Sequence, residues 1–236
     1  MKLKHRLSIC ADDFGITKNV NSAIIKLIYM NRLTETSCIV LTKNFSQDAK
    51  KLKKFKRKIG IGLHLTLTDF KPLTKLNGLK KNGKMMTIKN LILKSLLRNI
   101  DENQVCNEIN FQINKFKKNL GFEPNFIDGH HHVHQLPVIR DCLIRVLKER
   151  NLTNKIWVRN TNEKVYNIIS RNIGIIKTLS IRYFGKKFKS IAEKNSIKTN
   201  NGFSGIYNFS EKKNYGLLLD KFISFSKDNH LLMVHP

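Results

Sequence analysis

Apolar residues in this chain fall in short runs, separated by stretches with helical spacing. "RLSICA" (Arg6–Ala11) reads as a strand, and "NVNSAIIKLIYMNRL" (Asn19–Leu33) puts Val20, Ala23, Ile24, Leu27 and Ile28 on one helical face. "TSCIVLT" (Thr36–Thr42) and "IGIGLHLTLT" (Ile59–Thr68) are β-rich. Helices are predicted over Ile88–Arg98 and Glu102–Leu120. "NFIDGHHHVH" and "KIWVRN" read as further strands with a helix, Val138–Glu149, between them, and "LLMVHP" (Leu231–Pro236) as the last strand. This alternation predicts an α/β fold with a largely parallel sheet and right-handed crossovers, closed into a (β/α) barrel-like form or left open. With no Pro/Gly/Ser-rich linker and no fixed repeat, a single domain over residues 1–236 is expected.

Composition narrows the picture further. A chain of 236 residues with 41% hydrophobic content can bury a sizeable core. Its apolar runs fall short of the ~20 residues a membrane-spanning helix needs, and "MKLKHRLSICADD" lacks the apolar stretch of a secretory signal, so a cytoplasmic location is expected. Cys10, Cys38, Cys106 and Cys142 form no CxxC pair, which argues for reduced, buried thiols. A net charge of +27 would suit a nucleic-acid or membrane partner, but the lysines are spread along the whole chain. The one dense run, "KKLKKFKRK" (Lys50–Lys58), reads as a solvated helix face, and nucleic acid is not the expected partner.

Candidate chemistry sits at the ends of the predicted strands, where parallel α/β folds place their active sites. Asp12 and Asp13 follow the first strand, His64 interrupts an apolar one, Asp128–His134 follow another, and His235 ends the last. In "IDGHHHVH", extended geometry would turn His130, His132 and His134 to one side and His131 to the other. Two histidines with a carboxylate are a recurrent mononuclear metal set. Adjacent carboxylates in an extended chain point apart, so one can bind a cation while its neighbour takes a proton from water. Either one could instead cap the helix starting near Thr17.

"ICADDFGITKNVNSAI", "IGLHLTLT" followed by "KPLTKLNGL", "IDGHHHVHQLP" and "LLMVHP" together resemble the YdjC-like carbohydrate deacetylase family, in order from Ser8 to Pro236. The resemblance implies a barrel-like fold related to polysaccharide deacetylases and removal of acetyl groups from N-acetylated sugars with a divalent metal, Mg²⁺ or Zn²⁺. It implies Asp13, His64 and His130 as metal ligands, Asp12 as catalytic base, and His235 as a histidine acting near the leaving group; on chemical grounds a protonated His235, or His132 if geometry prefers it, would deliver the proton to the departing amine. Family members continue past "HPG". A covering helix is therefore expected to be missing, leaving the apolar side chains of "LLMVHP" exposed, His235 poorly held, and the chain prone to self-association, a homodimer being its simplest form. The alternative is a decayed, non-catalytic homologue whose lysines hold RNA or another polyanion.

Overall fold

The computed structural model describes residues 7–208 and 214–236, so Arg6, the first residue of the first expected strand, lies outside the described residues. Strand β1 (Leu7–Phe14) leads into helix α1 (Lys18–Tyr29), β2 (Glu35–Cys38), α2 (Phe45–Lys53) and β3 (Gly60–Leu65). A two-stranded hairpin, β4 (Lys80–Lys81) with β5 (Lys84–Met85), precedes α3 (Ile88–Leu96) and α4 (Glu102–Leu120). Then come β6 (Phe126–Gly129), a tight 3₁₀ turn over His130–Gln135, α5 (Ile139–Glu149) and β7 (Trp157–Val158). The chain continues through α6 (Val165–Arg171), α7 (Ile175–Lys194), β8 (Phe203–Ser204), α8 (Tyr215–Ile223) and β9 (His230–Val234).

Seven strands form one parallel sheet in the order β7-β6-β3-β2-β1-β9-β8, the barrel-like α/β fold that the alternating pattern predicts. The strands that carry the candidate residues are buried on both faces, as parallel strands covered by helices should be. The segment 198–204 joins the two edges of the sheet. Lys198 bridges to Trp157 of β7, while Phe203 and Ser204 pair with Leu231 and Leu232 of β9. Asn160 and Asn200 clasp this seam. The Asn160 amide N–H donates to Asn200 Oδ1 at 2.8 Å, and the Asn200 side chain donates back to the Asn160 carbonyl at 2.9 Å.

Local chemistry fixes the ends of several elements. Thr17 caps α1 by accepting from the Val20 amide, so neither Asp12 nor Asp13 is spent on capping. Asp101 caps α4 in the same way, and Gly121, at φ 83°, ends it in the left-handed conformation that glycine adopts without a Cβ penalty. The basic run after Lys50 is solvated as expected, with Leu52 and Phe55 turned into the core between exposed lysines.

Two expectations fail. The block after β6 is not extended: His131 (φ 53°) and His132 (φ 57°) are left-handed, which bends the chain immediately after His130. The last strand is not left uncovered either. It lies between β1 and β8 rather than at an edge, and Leu231 and Leu232 have no exposed surface.

Candidate active site

The strand ends converge as parallel topology requires. Asp12 and Asp13 of β1, His64 of β3, His130 after β6 and His235 after β9 all line one cavity of about 430 Å³. A larger cleft, about 780 Å³, runs along the 71–83 loop, but it has no acidic or histidine side chain in its walls, so volume does not mark the chemistry here.

A bulge explains how two adjacent carboxylates reach the same cavity. Ala11 pairs with Thr36 and Phe14 with Cys38, so three steps along β1 match two along β2. Asp13 absorbs the extra residue at φ 66° and turns into the cavity instead of pointing away from Asp12. Gly15 completes the turn at φ 101°. A Cβ there would stand 2.7 Å from the Ile39 carbonyl oxygen.

Asp13 is the hub of the site. Its Oδ1 lies 3.3 Å from His64 Nε2 and 3.2 Å from His130 Nδ1, and its Oδ2 lies 3.9 Å from His235 Nε2. Burial alone would raise the Asp13 carboxyl, but bonds from His130 and His64 hold it well below the usual carboxylate range. The other nitrogen of His64, Nδ1, is 2.7 Å from Asp128 Oδ1 and 3.1 Å from Ser37 Oγ. Burial opposes a charged imidazole, yet Asp128 and Asp13 flank it and push its pKa up to about 10. As it stands, His64 donates to Asp128 through Nδ1 and to Asp13 through Nε2; a bound ion would take the place of the Nε2 proton while Nδ1–H stays on Asp128, the arrangement that orients histidine ligands in metal sites.

Asp13, His64 and His130 each offer one donor atom, all within 4.8 Å of one another. Two imidazole nitrogens and one carboxylate oxygen suit a divalent transition ion and leave room for water and substrate. A second buried group, Cys10, Asp12 and Asp128, is equally close-set, but the Arg159 guanidinium fills it.

Arg159 is the main residue that sequence reasoning missed. Fully buried, it donates to Asp12 Oδ2 at 2.7 Å and Oδ1 at 2.6 Å, and stands 2.6 Å from Asp128 Oδ2. Burial would raise the Asp12 carboxyl, but Arg159 reverses this and keeps Asp12 ionised well below its ordinary pKa. Arg159 thus ties the Asp12 carboxylate to the Asp128–His64 pair. The signal for it was a charged residue inside the apolar run "KIWVRN".

The remaining histidines separate by environment. His134 Nε2–H donates to the Arg159 carbonyl at 2.8 Å and its ring packs on Phe188, a structural role. His131 faces Asp69 at the rim, 3.6 Å away. His132 lines the cavity with its ring edge on Phe203, and burial, with Arg159 and His134 nearby, drives its pKa well below the ordinary value. Burial also lowers His235, against the pull of Asp12 and Asp13.

Comparison with known proteins places the chain among relatives of one family. A carbohydrate deacetylase of Clostridium beijerinckii is 32% identical over 151 residues, covering 62% of this chain and 58% of that protein. A chitooligosaccharide deacetylase of Salmonella typhimurium is 28% identical over 155 residues (64% and 58%), and one of Proteus mirabilis 28% over 171 residues (71% and 66%). The matched part therefore spans 58% to 66% of the length of these relatives. Among solved structures, one described provisionally as a cellobiose-phosphate cleavage protein of Enterococcus faecalis V583 superposes with a TM-score of 0.71 at 22% identity, covering 98% of this chain and 80% of that one. A mutant of a CE4 family pseudoenzyme with restored activity gives 0.50 at 9% identity, covering 100% and 58%. These two likenesses concern the fold. The family model of YdjC-like proteins matches residues 6–236, a span that holds every residue of the cavity floor, and the chain belongs to that family.

Proposed function

We propose that this chain hydrolyses the acetamido group of an N-acetylated amino sugar, with a divalent ion held by Asp13, His64 and His130. The observation that carries the reading is the convergence of those three donors beside a separate, ionised carboxylate, Asp12. Relatives named carbohydrate and chitooligosaccharide deacetylase suggest the substrate class, a chitooligosaccharide among them. The ion, when bound, supplies Lewis-acid polarisation of the acetyl carbonyl and acidifies a water beside it. Zinc suits two nitrogens and one oxygen, and magnesium competes where water and substrate oxygens complete its shell.

Asp12 accepts the proton of the attacking water. Two bonds from Arg159 fix its direction and keep it charged, at the expense of basicity. The water oxygen bonds to the acetyl carbon, the C–N bond breaks, and acetate and the amine separate. His235, facing Asp13 across the cavity and drawn towards its charged form by Asp12 and Asp13 against burial, hands over its proton to the departing nitrogen when it is protonated; Asp12 then loses the proton it took and His235 regains one from solvent. The His64–Asp128–Arg159–Asp12 chain holds ligand and base in one rigid frame.

The four cysteines are free and buried, as in a reducing compartment, which is consistent with the cytoplasm as place of action. Among the described residues no helix is long and apolar enough to cross a membrane. The test compares two variants by metal content and acetate release. Asp12→Asn should keep its metal and lose roughly 10² to 10⁴ in rate, whereas His64→Ala should lose metal and rate together. Undiminished turnover in Asp12→Asn would assign the base elsewhere.

A further inference from the structure

Above the Asp–His floor the cavity walls are aliphatic. Ile88 and Ile92, one turn apart on α3, face it, as do Lys177 and Ile181, one turn apart on α7; Ile206 and Met233 are also part of the lining. Beyond the aspartates and histidines, Lys177 and Tyr207 are the only described lining residues with a polar side chain. Sugar hydroxyls need donors and acceptors at fixed places, and a wall of isoleucine supplies none. On α3 the same helical row continues from Ile88 and Ile92 to Leu96, which is 52% exposed.

Resting on the proposed hydrolase reading, we infer that the substrate of this cleft is an amphipathic amino sugar carrying an aliphatic chain, which lies between α3 and α7 against Ile92 and Ile181. The chain could reach that wall from the aglycone or from the N-acyl group, and both present the same chemistry to it. Excluding water from the isoleucines then supplies binding that the few polar wall groups cannot.

The test uses the full chain with one equivalent of Zn²⁺ and three soluble substrates below their micelle concentrations. These are the methyl and octyl glycosides of N-acetylglucosamine and the methyl glycoside of N-octanoylglucosamine. At least one octyl compound should show kcat/KM ten or more times that of the methyl N-acetyl compound, a gain that about two buried methylenes provide. Which one does so tells whether the chain enters from the aglycone or the acyl side. Ile92→Asn and Ile181→Asn should bring that ratio towards one. Equal kcat/KM for all three would overturn the inference and leave the deacetylase reading standing. If none releases acid, the deacetylase reading fails, and calorimetry on the same compounds decides the cleft's preference: tenfold tighter binding of an octyl compound supports it, and equal binding overturns it.

Discussion

Arg159 shows how one buried side chain sets the chemistry of several others. Its guanidinium faces Asp12 and Asp128, and removing it would leave the buried Asp12 carboxylate without its counter-ion and Asp128 with His64 alone, a loss of about 3–5 kcal/mol. Arg159→Lys keeps the charge but loses the fork, so Asp12 should be held less far below its ordinary pKa. Since Asp12 acts as base only when ionised, the acid limb of the pH–rate profile should move to higher pH in that variant; an unmoved limb would separate Arg159 from the base. Glu35 tests the same physics away from the cavity. Burial raises its pKa to about 7, against the opposing effects of Arg159 and a bond from Ser8. A carboxyl raised in the folded state binds its proton more tightly there than in the unfolded chain. Stability is therefore full below about pH 4.5 and is lost as pH rises through about 7, by up to ~3 kcal/mol. Thermal melts at pH 5.5 and 8.5 should show Glu35→Gln with a flatter pH dependence than the parent, and parallel curves would contradict this.

At the scale of elements, the turn after β6 does what an extended strand could not: it presents His130 to Asp13 while sending His134 back to the Arg159 carbonyl. Gly129 permits this tight return, because a Cβ there would stand 2.7 Å from His134 Nδ1 and 3.1 Å from its amide nitrogen. Gly129→Ala should cost roughly 1–3 kcal/mol and lower metal content by displacing His130; full metal content with an unchanged melting temperature would show that the turn tolerates the methyl. Helices with clear apolar periodicity were legible from sequence, and Glu102–Leu120 has the observed bounds. Short elements were not. Strand β8 is two residues long, and α6 to α8 lie in a lysine-rich region whose spacing gave no clear stripe. The His block misled because period-two reasoning assumes extended backbone, and consecutive left-handed residues are set by tertiary contacts that sequence does not display.

Across the whole molecule, topology brings together residues more than a hundred positions apart, such as Asp13 and His130, or Asp12 and Arg159. The cavity floor was therefore readable once the strands were taken as parallel, since each candidate ended or interrupted one. Its supporting shell was not, because Ser37 and Arg159 acquire meaning only through register. Among the described residues the lysines are mostly solvated, and the cavity draws its character from a few buried acids and imidazoles instead. Whether those groups hold a working ion is the central claim. The most direct measurement is acetate release from an N-acetylated chitooligosaccharide by chelator-stripped protein during titration with Zn²⁺ or Mg²⁺. No release is expected without ion, and a rise that saturates at one equivalent per chain with it. Release that persists in chelator, or that stays absent at every ion ratio, would contradict it.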